Sequence, residues 1–219
     1  MQANYVQRLR LTFRKVGMTR YISHLDLART LERALNRAKI PMAYTQGFNQ
    51  RPRMQFASAL SLGTTSDGEM ADIWLQEAME PEAARVQIMS RMAPGIEVVQ
   101  VADVPLGAPA MQTLTQSAHY VVTLLDLVDT DGLQAQIEAL LATEMIMRER
   151  GKGRKRKEYD LRPFILALTL TQSDEGLAQI DMHLTLAPSK TGRPDEVLLA
   201  LELEPLDARI HRTQIVLDE

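Results

Sequence analysis

The sequence predicts an α+β protein in which one order of elements, β-α-β-β-α-β, occurs twice. Three observations predict it. Short stretches alternate apolar and polar residues with the period of two that marks a half-buried strand. Between them lie runs with apolar residues at helical spacing, each opened by a capping residue or a proline. A stretch rich in proline, glycine and small residues separates the two sets. This order is the split-βαβ, ferredoxin-like unit, so the chain reads as tandem ferredoxin-like domains with antiparallel sheets. The domains run over residues 1–104 and 118–219, with a linker at 105–117.

In order, residues 7–15 alternate, with Leu9, Leu11 and Phe13 on one face and Arg8, Arg10, Thr12 and Arg14 on the other. A helix follows over residues 23–39. Ser23 with Asp26 three residues on is a helix-start signature. Leu27, Leu31, Ala34, Leu35 and Ala38 form its apolar face, and Pro41 ends it. Residues 42–46 and 53–58 read as extended segments around a Gly47-Phe48-Asn49 loop, and Gly63 and Gly68 read as turns. Residues 70–76 alternate again, with Asp72, Trp74 and Gln76 on the polar face. Pro81 opens a second helix carrying Ala84 and Ile88, and residues 96–101 close the first set. In the second set, residues 119–125 read as a strand and Asp129 or Asp131 starts a helix. Residues 145–147 begin an extended stretch broken by a basic run. Residues 164–172 and 177–187 follow as strands, Pro194 opens a helix, and 209–217 is the last strand.

The chain of 219 residues has a net charge of -3, unevenly spread. Residues 1–80 hold 11 Lys/Arg against 7 Asp/Glu, and residues 145–163 hold 8 against 3, on an otherwise acidic body. Two basic islands point to a directed polyanion contact. Arg29, Arg33 and Arg37 recur every fourth residue as a cationic stripe on the first helix. Arg51 and Arg53 end the Gly-Phe-Asn loop. Arg150, Lys152, Arg154, Lys155, Arg156 and Lys157 form an arm that suits phosphate backbones. The same charges could instead be solvated or paired locally. The open face of the first sheet would carry Arg8, Arg10, Arg14 and Trp74, a composition on which RNA bases stack, unless Trp74 is buried.

Other chemistry is sparse. With no cysteine, disulfides, thiolate metal sites and iron–sulfur clusters are excluded. The histidines His24, His119, His183 and His211 show no metal-ligand spacing, so no metal and no cofactor is expected. No phosphate-cradling loop or nucleophile elbow is present. The absence of a run of about 18 apolar residues and of a signal pattern leads to the expectation of a cytoplasmic protein. His24 beside Asp26 reads as a local cap. Arg193, in the turn Thr191-Gly192-Arg193-Pro194-Asp195, is a further anion-binding candidate.

The motifs Tyr21-Ile22-Ser23-His24-Leu25-Asp26, Glu32-Arg33-Ala34-Leu35, Arg37-Ala38, Pro41, Tyr44, Gly47-Phe48-Asn49, Phe56-Ala57, Gly63 and Gly192-Arg193-Pro194-Asp195 resemble the bacterial radical-SAM-linked domain family. The resemblance runs from about residue 6 to residue 215. It implies a domain fused to, or encoded beside, radical S-adenosylmethionine proteins of the cobalamin-binding type, with an accessory part in RNA or translation-related chemistry. The family's proline, histidine and proline after Gly-Phe-Asn are here Gln50-Arg51-Pro52, which suits phosphate binding better than proton transfer. Any iron–sulfur cluster must sit on a separate polypeptide. The tandem architecture is also similar to that of CRISPR repeat-processing RNA endonucleases.

The expected function is therefore a non-catalytic, RNA-binding, substrate-presenting module for a separate radical SAM protein that modifies RNA or the ribosome. Its expected RNA contacts are Arg29, Arg33, Arg37, Tyr44, Asn49, Arg51, Arg53, Lys152, Arg154, Lys155, Arg156, Lys157 and Arg193, gathered on one exposed surface. Two alternatives are a metal-independent RNA endonuclease using His24 and Tyr44, and an adaptor that docks an acidic protein partner without touching RNA.

Overall fold

The computed structural model describes residues 5–46, 48–151 and 157–218. The chain is mixed α+β, with mostly antiparallel strand pairing and five α-helices among the described residues. It divides into two compact units, residues 1–115 and 116–218. Among the described residues no helix is long and apolar enough to cross a membrane.

The first unit runs β1 (Gln7–Lys15), α1 (His24–Arg37), β2 (Met54–Phe56), β3 (Thr65–Leu75), α2 (Pro81–Met89), β4 (Ile96–Val104) and a one-turn α3 (Met111–Leu114). Its strands lie in the order β2-β3-β1-β4, each antiparallel to its neighbour. Leu9, Leu11 and Phe13 of β1 are fully buried and meet Leu27, Leu31 and Leu35 of α1 and Ala84 and Ile88 of α2. Both helices thus cover one sheet face, and the alternating residues Arg8 and Arg10 fall on the other.

α1 is set at both ends by local chemistry. The Ser23 hydroxyl accepts from the Asp26 backbone N–H (3.2 Å) and donates to its carboxylate (2.7 Å). At the other end the Ile40 N–H reaches the Leu35 carbonyl and the Lys39 N–H reaches Asn36, the paired bonds of a Schellman ending. Lys39 takes the left-handed conformation (φ 55) that glycine usually fills there. In α2 the carboxylate of Glu80 accepts from the Ala83 N–H, ahead of Pro81.

Two expectations need correction. Gly68 is not a turn: β3 runs through it, and the register slips there between Phe13↔Glu69 and Lys15↔Ser66. Residues 105–114 pack as part of the first unit. Met111 of α3 is fully buried, and carbonyls at 108 and 109 receive a buried arginine.

The second unit runs β5 (Thr115–Leu124), α4 (Thr130–Ala142), β6 (Met147–Arg150), β7 (Lys157–Asp160), β8 (Ile165–Gln172), β9 (Ala178–Ala187), β10 (Lys190–Thr191), α5 (Pro194–Ala200) and β11 (Ala208–Leu217). The main order is β8-β9-β5-β11, with β10 paired to the end of β9. Residues 147–150 and 157–160, on either side of the basic run in the sequence, pair as a separate hairpin, β6-β7. The hairpin's root is fixed. Asp160 accepts from the N–H groups of Ile146 and Arg162, and the Arg148 guanidinium meets Glu196 at 3.0 Å. The Arg162 guanidinium donates to the Leu141 carbonyl, closing a free acceptor at the end of α4.

Candidate nucleic-acid interface

The site grows from the register of β1 and β3. Arg8 pairs with Trp74 and Arg10 with Asp72, so four functional side chains share the sheet face opposite the helices. Trp74 and Arg8 are 8 % and 2 % exposed and Asp72 is fully buried. One carboxylate serves two guanidiniums. Asp72 accepts from Arg8 Nε (3.0 Å) and Nη2, and from Arg10 Nε (2.8 Å) and Nη2 (3.1 Å). Arg8 also donates to the carbonyls of Ala108 (2.7 Å) and Pro109 (2.9 Å). Of Arg8, Arg10, Arg14 and Trp74, expected on an open face, Arg8 is therefore buried instead, and Trp74 takes the buried alternative left open for it. Cross-strand pairing and residues 105–110 have used them up.

What remains open is Arg53. Its guanidinium lies over the Tyr5 ring (4.6 Å) and the Trp74 ring (4.9 Å), while Arg8 takes Trp74 at 5.1 Å. Such contacts are favourable because each ring face is electron-rich. Arg53 is exposed, and among the described residues no carboxylate pairs with it. It borders an open groove of about 630 Å³, together with Tyr5, His24, Gln55, Phe56 and Gln112. The His24 ring meets Phe56 edge-on at 4.9 Å. Two guanidiniums against one Asp72 carboxylate, with Arg53 beside them, leave this groove electropositive.

Arg53 is placed by the loop before it. Ala43 N–H bonds Trp74 carbonyl, Arg53 N–H bonds Ala43 carbonyl, and Thr45 N–H bonds Arg51 carbonyl. Residues 43–46 and 48–53 therefore belong, with Gly47 of the expected Gly-Phe-Asn loop outside the described residues, to a loop docked on the end of β3. Its tip carries Phe48 fully in solvent, and Asn49 and Arg51 are exposed beside it. Tyr44 is 43 % exposed and donates to Asn36 Oδ1 at 3.3 Å. Tyr44 does not line the groove that His24 lines.

The helix stripe is exposed but partly engaged. Arg29 meets Asp26 at 3.5 Å, Arg37 donates to the Arg91 carbonyl at 3.0 Å, and Arg33 is exposed. In the second unit Arg193 is held by Asp195 at the start of α5. Lys157 is exposed at the start of β7. Lys152, Arg154, Lys155 and Arg156 lie outside the described residues. Sequence reading missed Tyr5, Gln112 and the carbonyls that anchor Arg8. The only signal for Tyr5 was an aromatic just ahead of β1, and the carbonyls left none.

Two of the four histidines meet across strands. His119 of β5 and His183 of β9 are cross-strand partners, their rings stacked 4.0 Å apart and 16° from parallel. His183 Nε2 shares a hydrogen bond of 2.8 Å with the Ser117 hydroxyl. Burial, and then the neighbouring His119 ring, push the His183 pKa below the usual imidazole range. The folded state thus refuses a proton that the unfolded chain accepts. This contribution to stability is whole above about pH 6.5 and is lost as pH falls through the lowered value. Thermal melts between about pH 7 and pH 5 are expected to show a falling Tm that His183→Gln flattens. An unchanged slope in that variant would show that His183 does not titrate with unfolding.

The family described as an uncharacterized protein conserved in bacteria (DUF2344) matches residues 8–194. No curated protein matches the sequence. A solved structure, "Crystal Structure of a Cbf5-Nop10-Gar1 Complex", is similar at 11% identity and a TM-score of 0.49. The similarity covers 94% of this chain and 48% of that chain, so this chain spans less than half the length of its match.

Proposed function

The chain belongs to that bacterial family, and we propose that it works as a non-catalytic module that binds single-stranded RNA and presents it to a separate RNA- or ribosome-modifying radical SAM protein. The observation that carries the RNA reading is Arg53: exposed, without a carboxylate partner among the described residues, and stacked on Tyr5 and Trp74 beside an electropositive groove. A guanidinium so held offers donors to a phosphate and a flat face to a base. Phe48, Tyr44 and Arg51 extend this chemistry along the adjoining loop. The root of the β6-β7 hairpin is held in place, and the basic residues Lys152, Arg154, Lys155 and Arg156 follow β6 in the sequence, which supports a second contact through them.

The partner rests on the motif resemblance of residues 21–26 and 47–49 to the radical-SAM-linked family. The strand orders β2-β3-β1-β4 and β8-β9-β5-β11 support reading each unit as ferredoxin-like. Filter binding of a single-stranded RNA over a range of salt concentrations tests the function. Binding should weaken steeply with salt, at a log–log slope of about 0.7 per neutralised phosphate. Salt-independent binding, or none near physiological salt, would sink the RNA reading. RNA cleavage in the presence of chelator, lost in His24→Ala, would replace it with an endonuclease.

A further inference from the structure

The second unit carries its own cavity, of about 390 Å³, on the half-buried face of its sheet. This face alternates with the buried residues Ala118, Tyr120, Met182 and Leu184. Strand register lays it out as a grid. Ala167, His183 and His119 form one row across β8, β9 and β5, and Thr169, Asp181 and Val121 form the next. The volume lies within the range of small-molecule sites.

The histidine pair is poorly built to chelate one metal ion. A metal bound by imidazole lies in the plane of the ring, along the nitrogen lone pair. Two rings stacked 4.0 Å apart and only 16° from parallel have planes that do not meet near their nitrogens. What the pair does present is a flat aromatic platform, steadied by the Ser117–His183 hydrogen bond. A third planar ring can continue such a stack. The next row supplies an apolar contact in Val121 and acceptors in Asp181 and the Thr169 hydroxyl. Asp181 is exposed, and a carboxylate accepts only, so the ring it selects must bring N–H donors to that edge.

We propose that this cavity is a binding site for a planar heterocycle of the nucleobase class, with guanine the best match. Guanine offers a ring N–H and an exocyclic amine side by side, the geometry a carboxylate takes with two parallel bonds. Uracil places carbonyl oxygens on both sides of its single N–H and is repelled by the same carboxylate. The site stands on the second unit alone and needs neither Arg53 nor the groove of the first unit.

Proton NMR of the histidine rings tests it, with guanosine 5′-monophosphate, uridine 5′-monophosphate and inorganic phosphate as probes. His119→Gln and His183→Gln assign the signals. The guanine nucleotide should move upfield the protons of the histidine ring it stacks on, and saturate, through the ring current of the stacked base. Asp181→Asn should weaken that binding by about tenfold or more. The uridine nucleotide and phosphate should leave the signals in place. The proposal is overturned if no probe moves them, if phosphate or the uridine nucleotide moves them equally, or if Asp181→Asn binds the guanine nucleotide as tightly as the parent. An RNA-binding failure with these shifts intact would dispose of the first unit's function and leave this site standing.

Discussion

Asp72→Ala is expected to lower the free energy of unfolding by about 3–5 kcal/mol. The carboxylate is fully buried and is shared by Arg8, itself 2 % exposed, and Arg10. Removing it leaves two guanidiniums facing each other with no counter-charge. Arg8 is also tied in place, because its Nη1 and Nη2 donate to the carbonyls of Ala108 and Pro109. Relief by moving Arg8 would free those carbonyls and loosen residues 105–110 as well. Urea denaturation followed by circular dichroism measures the loss. Asp72→Asn, which keeps acceptor capacity but not charge, should fall between the two. A loss of less than about 1 kcal/mol in the alanine variant would mean that the trio is solvated like an ordinary surface pair.

Arg53→Ala should weaken single-stranded RNA binding by about 5–150-fold, equivalent to about 1–3 kcal/mol, while leaving the fold intact. The side chain is exposed, so its removal uncovers Trp74 without opening the core. The salt slope should also fall by about 0.7 if a single phosphate contact is lost. Trp74 is the sole tryptophan, which makes its emission a reporter of the groove. RNA should change that emission in the parent and much less in Arg53→Ala. Equal affinity in the two proteins would move the RNA path off this groove, even if binding itself were salt-dependent.

Much of the first unit could be read from residue patterns. The alternation of Leu9, Leu11 and Phe13 against Arg8 and Arg10 states which face of β1 is buried, because a strand has a period of two. The five apolar positions of α1 and its Ser23 start were legible for similar local reasons. Register was not. Whether Arg8 faces Trp74 and Arg10 faces Asp72 depends on how residues 7–15 meet residues 65–75 across a long connection, which no local pattern fixes. The same gap hid His119 and His183, whose separation in sequence gives no sign that β5 and β9 bring their rings together. Gly68 misled for a different cause: glycine marks turns and strand irregularities alike, and only pairing with β1 tells them apart.

The sharing of Asp72 between Arg8 and Arg10 has an effect beyond stability. Guanidinium groups keep their charge wherever proteins stay folded, so the one surplus positive charge of this trio cannot be neutralised by a shift in acidity. The pull of the trio itself on anions is therefore tuned by dissolved ions, which screen it.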